Sequence, residues 1–349
     1  MSGSCEQSIL WTSGKDGYDT YRIPAIIATA RGTVLAFCEG RRNSRSDTGD
    51  IDMLVKRSED GGHTWSDQEL VWADAGNTCG NPCPVVDGET GTVWLLMTHN
   101  LGIDRESEII DGTSQGSRTV WITASEDDGR TWREPRDITS TAKRADWTWY
   151  ATGPGNGIQL SSGRMLIPCD HIEAGTRRYY SHVIYSDDHG ETWRLGGTTS
   201  QDQVNECCVA ELENGDVLLN TRNFDRALRT RQFAVSGDGG MTWRNQRHDQ
   251  TLIEPICQAA LVRYPGKGDR LLFSNPASRD ERRNLTVRLS DEASGSWPHY
   301  KVLHPGPSAY SSLAVLPDGT VACLYERGIN HPYETITLAR FDLDWVTAG

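Results

Sequence analysis

The chain holds 349 residues, with 35 basic against 48 acidic side chains and a formal net charge of −13. That balance argues against binding to nucleic acid or an anionic membrane, which needs a net basic face, but it leaves room for a small anion held by a local arginine cluster. No stretch reaches the ~18 apolar residues of a membrane span, and the length fits either one large all-β domain or two smaller ones.

In chain order, the first apolar run is Ile9-Leu-Trp-Thr12, followed by Tyr21-Arg-Ile-Pro24 and by a Gly-turn strand opening at Gly32. A polar loop over 41–49 then carries Arg41 and Asp47 and leads into the strand Asp52-Met-Leu-Val55. That strand enters the octapeptide at 58–65, whose pattern Ser-x-Asp-x-Gly-x-Thr-Trp recurs at 125–132, 186–193 and 236–243. A worn copy at 290–297 has Glu292, Ser294 and Ser296 in place of Asp, Gly and Thr. Short Asp and Ser side chains bond nearby backbone groups and Gly supplies a positive φ, so each copy predicts a tight turn anchored by its Trp. Apolar runs at 119–123, 182–185, 232–235 and 285–289 enter the later copies as strands.

A second repeat interleaves with the first. Glycine turns at Gly32, Gly91, Gly163, Gly215, Gly268 and Gly319 each lead into an apolar strand, at intervals of 51 to 72 residues. Six such units account for the chain, and no amphipathic helical stretch stands out. The expected fold is therefore all-β: a six-bladed β-propeller of four-stranded antiparallel blades, one domain over 1–349. A ring needs its ends joined to avoid an open edge, and Ile9–Thr12 is the natural strand to complete the last blade.

The nine cysteines form no paired framework. Cys38, Cys169 and Cys323 sit in apolar runs, where a thiol is a small buried hydrophobe. Cys79-x3-Cys83 has loose zinc spacing but no second ligand pair, so neither metal nor cofactor is expected. Gly153-Pro-Gly-Asn-Gly157 lacks the dinucleotide pattern and predicts a turn. No export leader is recognisable at the start, which leaves a cytoplasmic protein and a secreted one with its leader removed both open.

In a propeller the inner strand ends converge on the axis, so unrepeated residues from different blades can meet. The candidates are Arg22, Asp47, Glu206 in Asn205-Glu206, Arg222, Arg282 before Asn284-Leu-Thr286, and Tyr310 in Tyr310-Ser-Ser-Leu313. With the Arg-Ile-Pro segment and four octapeptides (Asp boxes), the chain resembles the bacterial and animal exo-α-sialidases over essentially its whole length.

The resemblance implies release of terminal sialic acid from sialylated glycans, with Arg22, Arg222 and Arg282 clamping the substrate carboxylate and Glu326 steadying the first of them. Planar guanidinium groups suit bidentate carboxylate binding and stay charged. Arg283 competes with Arg282, and Arg226, Arg229 and Arg231 are expected to be solvated. The resemblance makes Tyr310 the nucleophile, Glu206 its base and Asp47 the acid/base, with Asp50 and Asp52 as neighbours that compete for the last role. A carboxylate nucleophile would be repelled by the substrate's own charge, whereas a phenol with a free pKa near ~10 is neutral until a base acts on it. Arg41 is a candidate contact to ring hydroxyls, and Met97, Trp121 and Trp149 are candidates for an apolar N-acyl pocket. A trans-sialidase and a non-catalytic Asp-box propeller that binds glycans are the alternatives. The sequence leaves linkage preference and oligomeric state open.

Overall fold

A computed structural model describes residues 3–266, 268–291 and 296–348. Strand β1 (Cys5–Thr12) precedes a first group, β2 (Thr20–Ala28), β3 (Val34–Arg41), β4 (Ile51–Ser58) and β5 (Glu69–Trp72). The second group is β6 (Thr78–Val86), β7 (Val93–Asn100), β8 (Thr119–Ser125) and β9 (Arg136–Asp137), with helix α1 (Glu106–Asp111) inserted and α2 (Thr139–Ala142) following. The third is β10 (Trp147–Thr152), β11 (Ile158–Gln159), β12 (Met165–Glu173), β13 (Tyr179–Ser186) and β14 (Arg194–Thr198); the fourth is β15 (Val204–Glu211), β16 (Val217–Asn223), β17 (Thr230–Ser236) and β18 (Arg244–Ile253). Then come β19 (Ala260–Arg263), β20 (Leu271–Pro276), β21 (Arg283–Ser290), the long β22 (His299–Val315), β23 (Val321–Arg327), β24 (Thr335–Phe341) and a last helix, α3 (Leu343–Thr347).

Hydrogen bonding joins these strands into four sheets of seven, five, four and eight strands rather than six separate ones. Two sheets are composite. A single parallel bridge, Ile51 to Thr78, links the first and second groups. Strand β22 pairs with β21 up to Pro307 and with β23 from Ser308 on, so it ends one group and begins the next. The N-terminal β1 lies antiparallel on β24. Close approach between strands continues around the molecule, with β2 beside β6, β6 beside β11, β11 beside β15, β15 beside β19, β19 beside β22 and β22 back beside β2. Among the described residues no helix is long and apolar enough to cross a membrane.

The Gly-turn strands read as unbroken apolar runs because both of their faces are buried. In β3, Val34, Ala36 and Cys38 face one apolar cluster, shared with β23 and β24, while Leu35 and Phe37 face another, shared with β7. In β16, Val217 and Leu219 point toward β12 while Leu218 points toward β20. Alternation of side chains along a strand thus fills six clusters, each wedged between consecutive groups. All three of Cys38, Cys169 and Cys323 lie in these clusters with no exposed surface, and Cys79 and Cys83 are buried on β6.

The intact octapeptides close the turns that follow β4, β8, β13 and β17. At the second copy, Ser125 Oγ donates to Asp127 Oδ1 (2.8 Å) and accepts from Gly129 N (2.8 Å). Asp127 also accepts from the Arg130 and Thr131 amides (3.1 and 2.9 Å) and from the Thr131 hydroxyl (2.6 Å). The middle of the worn copy, 292–295, lies outside the described residues, although Trp297 is buried and donates to Asp249 (2.9 Å). Slight burial raises the Asp127 carboxyl, but the Thr131 and Ser125 donors outweigh it and lower it to about 2. A carboxyl depressed in the fold stabilises above its unfolded value of ~3.9, and that contribution fades as pH falls toward about 2. Asp127→Ala is expected to cost about 1 kcal/mol, as loss of a comparable helix cap does. Urea unfolding of both proteins at pH 7 and pH 3 checks this, since the difference between them should shrink at the lower pH.

Candidate active site

A cleft of about 340 Å³ opens where the inner strands converge, and Arg22, Arg41, Asp47, Glu206, Arg222, Arg282 and Tyr310 all line it. These side chains reach it because the ladders are interrupted where they leave their strands. The β2–β3 register shifts between Arg22 and Ala25, β15–β16 between Val204 and Cys207, and β22–β23 between Ser308 and Ser311. A bulge of this kind releases a side chain from strict alternation and re-aims it. At the first, Ile23 adopts φ 59°, a conformation that costs a β-branched residue about 1–3 kcal/mol. Pro24 follows, and it has no N–H to lose from the ladder.

Glu326, with no exposed surface, lies behind the cleft wall. Its Oε1 accepts from Arg22 Nε (2.7 Å) and the strained Ile23 amide (2.8 Å), and its Oε2 accepts from the Tyr310 amide (3.0 Å). One carboxylate therefore fixes both the first arginine and the tyrosine backbone.

The Tyr310 phenol donates to Glu206 Oε1 at 2.5 Å and accepts from Arg222 Nη1 at 2.9 Å. Arg222 Nη1 also donates to Glu206 Oε2. Burial lifts the Tyr310 phenol well above its ordinary range, Glu206 adds to the rise, and Arg222 and Arg282 oppose it. The phenol is therefore neutral at rest, with an acceptor for its proton already in contact. The guanidinium carbons of Arg22 and Arg282 stand 5.2 and 5.4 Å from its ring centre. Arg282 donates to the Tyr333 hydroxyl (2.9 Å) and the Ile256 carbonyl (3.2 Å). Its neighbour Arg283 turns outward to Glu281 (3.5 Å).

Asp47 stands on the loop at the mouth, its side chain 60% exposed, 2.7 Å from Arg41 and 3.7 Å from Arg22. Partial desolvation pushes its carboxyl up, but Arg41 and Arg22 prevail and hold it below the usual carboxylate range. Asp52 is buried, accepting from Tyr18 (2.7 Å) and Arg42 (2.6 Å), and Asp50 sits 3.6 Å from Arg42; neither lines the cleft. Arg41 is itself clamped by Glu39 (2.6 and 3.0 Å).

Two expectations need correction. Arg231 is not solvated but fully buried, bonded to Asn220 (2.7 Å), Glu254 (3.1 Å) and the Cys257 carbonyl (2.9 Å). It ties β16 and β17 to the segment between β18 and β19. Arg226 and Arg229 are half-exposed and bond Arg279 and Asp280 across a surface loop. The apolar wall is also absent as drawn, since Met97 is a core residue with no exposure and Trp121 packs on Trp72 (4.9 Å) away from the cleft. Only Trp149 lines the site, with the Arg118 guanidinium 4.1 Å over its ring. The rest of that wall carries Arg118, Glu106 from α1, Asp170 and Asn205. None of these belongs to a repeated motif, and neither does Tyr333; only the adjacency of Asn205 to Glu206 was a signal.

Residues 32–323 match a family model described as a BNR repeat-like domain. A sialidase from Micromonospora viridifaciens is 33% identical over 97% of this chain and 54% of its own length, so the chain spans little more than half of that relative. An exo-alpha-sialidase from Aspergillus fumigatus is 31% identical over 95% of this chain and 86% of its own length. Among solved structures, the Hadza microbial sialidase Hz136 superposes with a TM-score of 0.89 at 30% identity, covering 97% of this chain and 69% of that one. With a family model across most of its length and a relative matched nearly end to end, the chain belongs to the sialidase family.

Proposed function

We propose that this protein is a retaining exo-α-sialidase that releases terminal α-linked sialic acids from glycoconjugates through a covalent tyrosyl intermediate. The observation that carries this reading is the Tyr310 phenol held between Glu206 and Arg222, among three arginines. In this scheme Arg22, Arg222 and Arg282 bind the substrate carboxylate, which turns the anomeric carbon C2 toward Tyr310. The phenol oxygen bonds to C2 while its proton passes to Glu206, and the glycosidic oxygen leaves with a proton from Asp47. Water then attacks C2 and gives its proton to Asp47, the C2–phenol bond breaks, and Glu206 returns the proton to Tyr310. Two displacements at one carbon retain configuration.

Asp47 is held ionised in the free protein, yet it must arrive protonated to act as acid. The substrate's carboxylate supplies the correction, because a negative charge seated beside Arg22 offsets the field that lowers Asp47. Tyrosine suits the same carboxylate, which would repel a charged nucleophile.

We also take residues 1–349 as one catalytic domain with a six-bladed β-propeller fold. The cyclic succession of β2, β6, β11, β15, β19 and β22 supports that count, and the pairing of β1 with β24 supports closure by the N-terminal strand. Sialylated glycoproteins, glycolipids and oligosaccharides are the substrates this reading implies.

Tyr310→Phe is expected to lower kcat/KM on a fluorogenic sialoside by roughly 10³-fold or more, because the nucleophile is lost. No release by the wild-type protein between pH 4 and 8 would reject the activity, and undiminished turnover by the variant would reject the nucleophile. Asp47→Asn is expected to lose roughly 10²-fold on sialyl-lactose but only about tenfold or less on aryl sialosides, whose leaving groups need little protonation. The wild-type profile on sialyl-lactose should fall as pH rises through the Asp47 ionisation, and that limb should vanish in the variant. Equal losses on both substrates would remove Asp47 from the acid role.

A further inference from the structure

Glu326 gives the first cleft arginine a buried carboxylate, outside the reaction, that fixes its guanidinium; the other two arginines are held differently. Arg222 Nη1 donates to Glu206 and Tyr310, the two groups that exchange a proton in the scheme above. Groups whose charges change during a reaction make a poor fixed reference. Arg222 Nε has no hydrogen-bond partner among the described residues, and the Phe224 ring centre at 5.2 Å is a weak contact. The ladders add little. The β16–β17 pairing runs from Val217–Ser236 only to Thr221–Gln232, and on the other side the β15–β16 register shifts between Val204 and Cys207. Arg282 precedes β21 and bonds the Ile256 carbonyl (3.2 Å). Ile256 itself adopts φ 55°, a costly conformation for a β-branched residue.

Behind both arginines lies a pair that the reaction does not use. Arg231 and Glu254 have no exposed side-chain surface, stand 3.1 Å apart and are not part of the cleft lining. Each reaches past the other to backbone or side chains next to a cleft arginine. Glu254 Oε1 accepts from the Asn223 amide at 2.6 Å, and Arg231 Nε donates to Asn220 Oδ1 at 2.7 Å. The two bonds bracket Arg222 along β16. Arg231 Nη1 also donates to the Cys257 carbonyl (2.9 Å), which adjoins the Ile256 carbonyl that receives Arg282. Burial raises the Glu254 carboxyl, and Arg231, the Asn223 amide and then Arg222 oppose the rise, so the charge of Arg222 is felt at this buried group. A buried ion pair is a weak source of stability; what this one can supply is position.

Resting on the sialidase reading, we infer that Arg231 and Glu254 are positioning residues that hold Arg222 and Arg282 at the spacing one substrate carboxylate requires. Neither touches substrate. Their action runs through the Asn223 amide on one side and the strained turn at Ile256 on the other, two points that the strand ladders leave open.

The test reads carboxylate recognition directly. Titration calorimetry compares 2,3-dehydro-N-acetylneuraminic acid with its C1 carboxamide, which keeps the shape and loses the charge. The wild-type protein is expected to bind the acid at least about tenfold more tightly, as charge-assisted bonds imply. The double variant Arg231→Met/Glu254→Leu leaves no lone buried charge. It is expected to lose about tenfold in affinity for the acid, because small misplacements are costly, and less than about twofold for the carboxamide. Arg231→Lys keeps the charge but cannot span Asn220, Glu254 and Cys257 at once, and its acid-to-carboxamide ratio is expected to fall about threefold; it decides the matter should the double variant not fold. A fall in Tm with the ratio unmoved would mark a merely structural pair and overturn the assignment. A wild-type ratio near one would reject the arginine clamp, and this inference with it. A large wild-type ratio without hydrolysis of any sialoside would reject the hydrolase reading alone, and the ratios in the variants would still decide the role of the pair.

Discussion

The carboxylate of Glu326 is the constraint on which the site depends. It comes from β23, yet it receives donors from β2, near the start of the chain, and from β22, near its end. A buried ion pair is weak evidence for stability, because desolvation of two charges offsets much of their attraction. What it supplies here is position. The same three bonds orient a guanidinium, stabilise a strained isoleucine and set the height of the Tyr310 backbone. The arginine and the phenol are thereby referenced to one group rather than to two independently drifting strands.

Around that anchor the molecule solves two conflicting demands. Sheets buried on both faces require regular alternation, and six apolar clusters depend on it. A cleft crowded with arginines and carboxylates requires side chains that leave the alternation. At the cleft the conflict is settled locally, by the register shifts at Arg22–Ala25, Val204–Cys207 and Ser308–Ser311. Beneath them, polar side chains tie the strands together across the axis: Asn156 reaches the Ile26 and Leu313 carbonyls (2.7 and 3.0 Å), and Gln258 reaches those of Pro154 and Ser311 (3.0 and 2.9 Å).

What the sequence made legible follows from the same division. Repeats announce themselves, so the octapeptide turns and the Gly-turn strands could be read from spacing, and the pairing of the first strand with the last from the need to leave no open edge. Arg22 was legible because it opens the Arg-Ile-Pro segment that carries the family resemblance. Arg231 was misjudged, since its partner Glu254 lies on another segment and nothing in a strand's own pattern distinguishes a paired buried arginine from a solvated one. Met97 and Trp121 face each other in the β7–β8 register, but which face of that pair meets the axis depends on sheet twist, which spacing does not encode. Glu106, Arg118, Asp170 and Tyr333 are single residues on four separate segments, and only the assembled fold brings them to one cleft.

The length of β22 has a consequence beyond architecture. Its first half is the edge of one group, with an exposed Tyr300 and Val302, and its second half delivers Tyr310. Segments with few buried apolar contacts lie at the low end of a protein's local stabilities. Fraying of that rim half would loosen the same backbone that carries Tyr310, and with it Arg282, whose carbonyl accepts from the Ser308 amide. The outer edge and the cleft around Tyr310 are thus joined through one uninterrupted strand.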